Sequence, residues 1–391
     1  MKSGRRLLWI ISFHHACNDG TLMALVALLP IFLKQFELTY YQVGLLASGV
    51  LITVVVQYAV GRFADRMFSR YLLELGAVLM GVSFLLMLMV NNFEGLFLAV
   101  ISMRIGGAFY HPVGTSWITR EYSGPYLETA LGIQSGVGNF GVIVALATTG
   151  FLGDLFTWRA PCVLWAALNL SAVLLGTLLV KEGMIKTRVG REKQATRPGN
   201  TFNKMMFLII PIVGGGALYQ ITSTWGPINL TTTAHPWSAG SADLIFALWI
   251  GVGTATSYYF GAISARVGKY RLLRMGYLVS LIAVIILSLT TDWRLIAPTL
   301  LVFGAFLMVT YPALFSLITE LTGEEERGTA FGILFGFQLG GGAASVYFCG
   351  IIAGLFNGPQ YTFLVAGGLA VASLIMITFW ERHARKLAKG C

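Results

Sequence analysis

A chain of 391 residues in which 56% are hydrophobic and only 11% are charged cannot cover the surface of a water-soluble protein, and its mean hydropathy is +0.74. The net charge of +10 would suit a nucleic-acid-binding protein, but the basic residues are spread between apolar runs. The composition therefore predicts an integral membrane protein and argues against a nucleic-acid partner.

Twelve apolar windows, each near the roughly 20 residues that cross about 30 Å of hydrocarbon, predict an all-α protein with twelve transmembrane helices. They lie near residues 7–34, 41–63, 71–91, 95–119, 127–152, 159–180, 204–229, 241–264, 272–290, 295–319, 328–355 and 360–381. Six helices form a predicted amino-terminal bundle, residues 1–180, and six a carboxyl-terminal bundle, residues 204–391. The polar stretch 181–203 has no apolar periodicity and is predicted to be a cytoplasmic linker.

Basic residues mark one side of the predicted membrane protein. If the amino terminus is inside, only Lys34, Arg159 and Arg294 fall on the opposite side. This positive-inside bias predicts a multi-pass protein of the cell inner (plasma) membrane with both termini in the cytoplasm. Arg5 and Arg6 before an apolar run resemble a secretory signal, but the run is polar in places and has no small-residue cleavage site, so we expect an uncleaved first helix.

The second half of the chain repeats the first at a fixed offset of 200 residues. The repeated positions are Gly61, Arg66, Pro112, Ser116, Ile118, Thr119, Ala130, Gly132, Ile133, Gly136, Gly150 and Phe156, which recur as Gly261, Arg266, Pro312, Ser316, Ile318, Thr319, Ala330, Gly332, Ile333, Gly336, Gly350 and Phe356. The repeat predicts two pseudo-symmetric six-helix halves, and such repeats usually flank a substrate path.

The loop between the second and third predicted helices contains a Gly followed by an Asp-Arg pair and a further base: Gly61, Asp65, Arg66 and Arg70. With the twelve spans, this loop resembles the signature of the major facilitator superfamily. The resemblance implies that Asp65 latches the two halves in the outward-facing state, where its carboxylate would accept from N–H groups at a helix start. The alternative is a solvated charge cluster.

Ionisable residues within the apolar spans are expensive and mark functional sites. Arg104 in the fourth helix resembles an intramembrane Arg signature of the superfamily, and His111, seven residues later, is predicted to share its face. Asp19 in the first helix is predicted to lie at a depth between those of Arg104 and His111, and it shares a face with His15. We therefore expect Asp19, Arg104, His111 and His15 to form one cluster that trades protons near neutral pH. A structural ion pair between the two helices is the alternative.

The carboxyl-terminal half is interpreted as having no acid or base inside its apolar spans, so ionisable groups would belong to one half and aromatic and amide groups to the other. Amide and aromatic side chains are the candidate substrate contacts. These candidates are Asn18, Tyr110, Gln134, Asn139, Tyr219, Gln220, Trp225, Tyr311 and Gln338. Small-residue runs at helical spacing in helices five and eleven suit helices that pack closely and slide.

No cofactor is predicted. The sequence has no nucleotide-binding glycine motif and no HExxH motif. Its four cysteines are scattered, with no CxxC or Cys/His cluster, so neither a metal site nor a disulfide framework is indicated. An enzyme is not expected, because no Ser/His/Asp set or paired carboxylates share one helix face.

Three motifs resemble the fosmidomycin-resistance branch of bacterial and archaeal drug exporters. They are residues 13–19 (FHHACND), residues 108–112 (AFYHP) and residues 138–141 (GNFG). Val113 follows the Pro where that branch usually has an acid, and helix five lacks the Gly-Pro pair frequent in antiporters. The resemblance implies an exporter fold but does not identify a drug.

These features favour a monomeric secondary carrier that works by alternating access and exports a small anionic or amphipathic compound in exchange for protons. Asp19 would carry the proton, Arg104 would be its counter-ion or a substrate anchor, and His111 a relay. Three alternatives remain open: a proton symporter that takes up a small organic metabolite, a flippase for lipids or amphiphiles, and a transporter-like sensor that no longer cycles.

Overall fold

The computed structural model of the protein describes residues 2–64, 69–180, 198–233, 235–323 and 326–389. Within these residues α and 3-10 helices are the only regular secondary structure. Twelve helical stretches are long and apolar enough to cross a membrane. The predicted all-α class and the twelve spans are therefore confirmed.

Sixteen α-helices make up the described chain. They are α1 Lys2–Gln35, α2 Tyr40–Ser48, α3 Val50–Ala64, α4 Ser69–Met87, α5 Phe93–Gly107, α6 Tyr110–Glu121, α7 Pro125–Leu155, α8 Arg159–Leu179, α9 Pro198–Met205, α10 Ile209–Thr231, α11 Ala239–Tyr258, α12 Phe260–Val267, α13 Lys269–Leu289, α14 Trp293–Leu321, α15 Arg327–Leu355 and α16 Thr362–Lys389. Helix α9 begins inside the stretch predicted as a linker, because a Pro at the first helical position is favourable.

The predicted fourth span is two helices rather than one. Pro112 has no N–H for the Ala108 carbonyl, which interrupts the α-helical ladder. The chain passes through a tighter turn in which the Ala108 N–H donates to the Ile105 carbonyl at 3.1 Å and the Phe109 N–H to the Gly106 carbonyl at 3.3 Å. His111 consequently lies in the first turn of α6, and its direction is no longer fixed by that of α5.

The chain divides into two compact units at the level of residue contacts. Unit 1 comprises Met1–Leu38, Gly49–Glu192 and Ser238–Ala247, and unit 2 comprises Thr39–Ser48, Lys193–Trp237 and Leu248–Cys391. The main division, between residues 192 and 193, falls inside the predicted linker. Each unit also contains a short segment from the other half of the sequence. These segments begin at residues 39 and 238, so they are 199 residues apart (238 − 39), one fewer than the repeat offset of 200.

In unit 1, α1 packs closely on α7 because glycines remove the side chains from the contact. A Cβ on Gly141 would lie 2.6 Å from the Ala16 Cα, and a Cβ on Gly138 would lie 2.5 Å from the His15 ring. Gly132 and Gly136 have no such neighbour within 4 Å among the described atoms. Of these four glycines in the predicted fifth helix, Gly138 and Gly141 therefore allow close packing.

Unit 2 repeats this crossing with α10 on α15. A Cβ on Gly342 would lie 2.9 Å from the Gly216 carbonyl oxygen, and Gly216 and Ala16 are 200 residues apart, the offset of the sequence repeat. Further along the same helices, Gly150 in unit 1 contacts the start of α11, and its repeat partner Gly350 in unit 2 contacts α2. The repeat found in the sequence is thus visible in the helix contacts of each unit.

Candidate proton-coupling site

Asp19 and His15 are four residues apart on α1 and so lie on one face of the helix. The His15 Nε2 atom is 3.0 Å from Asp19 Oδ2, and the His111 Nε2 atom of α6 is 3.3 Å from Asp19 Oδ1. Asn18 adds a hydrogen bond, since its Nδ2 donates to Asp19 Oδ1 at 2.9 Å. The carboxylate therefore lies between two imidazoles, and the structure brings these three predicted residues together.

His15 is held in place from the side opposite Asp19. Its ring stacks on Tyr110 with 4.4 Å between centroids, and its Nδ1 is 2.9 Å from the Gln134 carbonyl oxygen and 3.0 Å from the Gln134 side-chain nitrogen. Gln134 Nε2 also donates to the Tyr110 hydroxyl at 2.9 Å. A protonated ring can donate to the carbonyl and a neutral ring can accept from the amide, so Gln134 suits both states of His15.

The His15–Asp19 contact has the distance of an ion pair. It does not have the angle of a hydrogen bond, and His15 Nε2 makes no hydrogen bond to any described group. The side chain of His15 is 7% exposed, that of Asp19 20% and that of His111 43%. His111 is therefore the most exposed member of the cluster, whereas His15 is enclosed.

Arg104 is not part of this cluster. It is only 3% exposed, its Nε has no hydrogen-bond partner, and no ion pair joins it to any acid in the described part of the chain. The prediction that Arg104 and His111 share a face required one unbroken helix, and the break after Gly107 removes that relationship. Asp19 is partnered by two histidines instead of by the arginine.

A very small cavity lies beside the cluster in unit 1. Polar groups from α1 and α8 line it, including His14, Asn18 and Asn169, together with the Tyr110 ring. Asn169 Nδ2 donates to Thr21 Oγ1 at 2.6 Å, which links α8 to α1 next to Asp19. The cavity gives the cluster a polar neighbourhood inside the helix bundle.

The candidate residues of unit 2 form a separate set of contacts. The Tyr311 hydroxyl donates to the Gly215 carbonyl at 3.1 Å and is also hydrogen-bonded by the Gln338 side chain. Tyr219 stacks on Trp249 with 5.4 Å between centroids. Gln220 donates to the Leu339 carbonyl at 3.2 Å. These groups join α10 to α11, α14 and α15.

Two predicted substrate contacts differ sharply in accessibility. Trp225 is fully buried, and its Nε1 donates to the Val346 carbonyl at 3.4 Å, so it packs in the core of unit 2. Asn139, one residue after the glycine under His15, is exposed. Only the second is free to meet a ligand in the described conformation.

The structure corrects the statement that the second half has no ionisable group within its spans. Asp243 lies in the predicted span 241–264 and is completely buried, and neither carboxylate oxygen is hydrogen-bonded to any described group. Asp243 packs against Gly150 of α7.

The predicted latch is only partly within the described residues. Asp65 and Arg66 lie outside them. Gly61 has the Pro112 side chain as a distant neighbour, 3.8 Å from where a Cβ would be. Arg70 Nε pairs with Glu74 Oε1 at 2.8 Å and its guanidinium also donates to the Val180 carbonyl at 3.0 Å, which ties α4 to the end of α8.

The donor set of the cluster is also one that metals use. One ligand atom from each of His15, Asp19 and His111 lies within 4.8 Å of the others, and two imidazoles with a carboxylate bind divalent transition metals. The sequence predicted no metal site, and that prediction stays untested. The same three atoms are equally suited to share protons.

Twelve spans in two repeated units with a partly buried carboxylate between imidazoles define a helical membrane transporter rather than an enzyme. The chain belongs to the Major Facilitator Superfamily, whose sequence model matches residues 8–345 and 228–390. The superfamily resemblance seen in the sequence is therefore confirmed.

Known relatives and structures agree with this assignment. The chain is 23% identical over 368 residues to the quinolone resistance protein NorA of Staphylococcus aureus (strain COL), covering 93% of each chain. It is 24% identical over 330 residues to the multidrug resistance protein 1 of Bacillus subtilis (strain 168), covering 80% of this chain and 83% of that protein. A mutant of the nucleoside transporter NupG has the same fold, with a TM-score of 0.79 at 15% identity and coverage of 96% and 98%.

Proposed function

We propose that this transporter exports small amphipathic or anionic drug-like compounds by alternating access and that inward proton movement drives the export. It would act as a monomer in the plasma membrane with both termini in the cytoplasm. The relatives named for quinolone and multidrug resistance support the drug-export part. The positive-inside distribution of basic residues supports the orientation.

The observation that carries proton coupling is the position of Asp19 between His15 and His111. A lone carboxylate at this depth would be costly, and two nearby imidazoles offset that cost when either is protonated. A proton that arrives at His111, the most accessible member, can be passed to Asp19. When the cluster next opens to the cytoplasm the proton leaves, so each turnover moves the proton bound by Asp19 inward and one substrate outward.

Charge at the cluster gives the cycle its coupling. With Asp19 ionised and one histidine protonated, the three side chains attract each other and draw α1 towards α6. With Asp19 neutral, that attraction is weaker and the two helices can separate more easily. A proton on Asp19 thus favours the arrangement in which α1 and α6 are separated over the one in which they are close. A ligand shifts a conformational equilibrium only through such a difference in interaction between the two states.

Substrate contacts are proposed in each unit. Arg104 offers a buried guanidinium with a free Nε, which suits an anionic group. The aromatic and amide groups around Tyr219, Tyr311 and Gln338 suit a planar or amphipathic molecule. Asn18, Tyr110 and Gln134 act by positioning the proton cluster.

The test is transport of a fluorescent quinolone into proteoliposomes with an imposed pH gradient. Asp19→Asn keeps the size of the side chain but cannot carry a proton, so gradient-driven flux should fall at least tenfold while substrate exchange without a gradient survives. Asp292→Asn, at the exposed N-cap of α14, is the matched control and should transport normally. Unchanged pH-dependent flux in Asp19→Asn would overturn the proposal.

Vesicles of opposite orientation decide the direction. Export requires accumulation in inverted vesicles when the lumen is acidic. Accumulation only in right-side-out vesicles with an acidic exterior would instead identify a proton symporter. Movement of a labelled phospholipid without quinolone movement would identify a flippase.

A further inference from the structure

A completely buried carboxyl lies far along the chain from Asp19. Asp243 is in the second turn of α11, has no solvent exposure, and neither Oδ1 nor Oδ2 has a hydrogen-bond partner among the described residues. No ion pair joins it to a base in the part of the chain that the structure describes. The transport mechanism proposed above does not use it.

The surroundings of Asp243 disfavour a negative charge. Gly150 of α7 comes so close that a Cβ there would lie 2.5 Å from Asp243 Oδ2. One turn later on α7, the Asp154 carboxylate accepts from the Gly240 N–H at 2.7 Å and so occupies the start of α11. Asp154 is the charged group that faces Asp243, and its charge is of the same sign.

Two further donors at the start of α11 are also occupied, and one of them, the Ala242 N–H, donates to the Ser238 carbonyl at 3.0 Å. The Ser241 N–H donates to Ser238 Oγ at 3.1 Å, and Ser238 Oγ in turn donates to Ser241 Oγ at 3.1 Å. The helix start, which favours anions, therefore interacts with Asp154 and Ser238 rather than with Asp243.

Close packing does not require an acid here. At the repeat offset of 200 residues the counterpart of Asp243 is Val43, which is fully buried in α2 where that helix contacts α15 of unit 2. The counterparts of Gly150 and Asp154 are Gly350 and Gly354, so that crossing keeps the close-packing glycine but has neither carboxylate. An apolar side chain fills the same position, and the carboxyl of Asp243 needs another explanation.

We propose that Asp243 binds a proton at neutral pH and is a second proton-binding site, separate from the Asp19 cluster. An ionised carboxylate without partners in a low-dielectric interior is far less favourable than the neutral acid. When the contact between α7 and α11 at Gly150 opens and water reaches the side chain, the acid gives up its proton and becomes a carboxylate. Only this release step depends on the proposed proton-driven export. The protonated state of Asp243 is proposed independently of it.

Infrared spectroscopy of the purified protein in lipid tests the protonated state directly. At neutral pH the wild type should show a protonated-carboxyl C=O band that shifts in D2O, and Asp243→Asn should lack that band. Asp292→Asn, the same change at an exposed position, should retain it. Asp243→Val, which copies the repeat counterpart, provides a second variant if the Asn side chain prevents folding.

An identical band in wild type and Asp243→Asn would overturn the inference. So would a band that appears only when sodium and potassium are replaced by a large organic cation, because a metal ion would then occupy the carboxylate. Proton counting separates the two proposals: Asp243→Asn should lower the number of protons moved per quinolone, while Asp19→Asn stops gradient-driven flux. If the band is lost but proton counts are unchanged, the release step is overturned.

Discussion

Gly138 of α7 lies directly against the imidazole of His15, so closely that a Cβ at this position would be 2.5 Å from both Nδ1 and Cε1. The glycine lets the ring lie between α1 and α7 with its Nε2 towards Asp19. The arrangement of the proton cluster thus depends on a residue that has no polar side chain.

Gly138→Ala should displace His15 from Asp19 and lower gradient-driven flux at least tenfold. Alanine normally favours a helix over glycine by about 1 kcal/mol, so a loss of function would not come from a weaker helix. Flux in proteoliposomes, measured beside thermal unfolding, checks the prediction.

Gly136→Ala is the matched control for Gly138→Ala. It is the same substitution half a turn earlier on α7, where no described atom lies within 4 Å of the place that a Cβ would take. This variant should transport like the wild type. Equal flux in both alanine variants would contradict the role given to Gly138.

Arg104→Gln should raise the KM for anionic substrates several-fold and leave that for cationic ones nearly unchanged. The guanidinium is buried, its Nε has no hydrogen-bond partner and no acid pairs with it among the described residues, so its charge remains available to an anion. Concentration series with an anionic and a cationic fluorescent substrate provide the measurement. An equal change for both would show that Arg104 acts through packing.

The helix content and the membrane class could be predicted from the sequence because apolar length alone defines a span. The repeat was equally visible, since Gly150 and Gly350 are required by the same kind of close contact in each unit. The meeting of Asp19 with His15 was also predictable, because four residues on one helix fix the geometry. These features depend on local spacing.

The partners of Arg104 and Asp243 could not be predicted in this way. Pro112 breaks the fourth span, and the resulting turn directs His111 but not Arg104 towards Asp19. Asp243 is buried against Gly150, which lies 93 positions earlier in the sequence (243 − 150). Contacts between distant segments depend on how the helices pack. The periodicity within one helix predicts which residues share a face, but it does not predict that packing.

Gly350→Ala should destabilise unit 2. A Cβ there would lie 2.9 Å from the Gly44 Cα and from the Tyr40 carbonyl oxygen, and backbone atoms cannot move aside as flexible side chains can. Overpacking of this kind costs about 1–3 kcal/mol. A lower midpoint of thermal unfolding in detergent is therefore expected.

Gly354→Ala, one turn later on α15, is the control for this substitution because no described atom lies within 4 Å of its Cβ position. It should unfold at the wild-type temperature or slightly above. If Gly350→Ala were as stable as Gly354→Ala, the close contact between α2 and α15 would be more adaptable than its backbone geometry implies.

The Lys204–Glu326 pair should make the stability of unit 2 depend on pH. Lys204 Nζ donates to Glu326 Oε2 at 2.7 Å, and this hydrogen bond, with a smaller contribution from the Gly323 N–H, lowers the pKa of Glu326 below its usual value. A carboxyl with a lowered pKa in the folded state adds stability above its unfolded pKa. That stability is lost as the pH falls through the folded pKa.

Glu326→Gln should therefore unfold at a lower temperature than the wild type at pH 7, and the difference should shrink as the pH falls from about 5 to about 3. The side chain of Lys204 is 38% exposed, so salt should reduce the difference as well. Glu94→Gln, at an exposed position in the first turn of α5, is the control for the substitution itself and should unfold close to the wild-type temperature at pH 7. A difference between Glu326→Gln and the wild type that is constant from pH 7 to pH 3 would mean that the carboxylate charge does not contribute, and that the glutamate acts only through its shape.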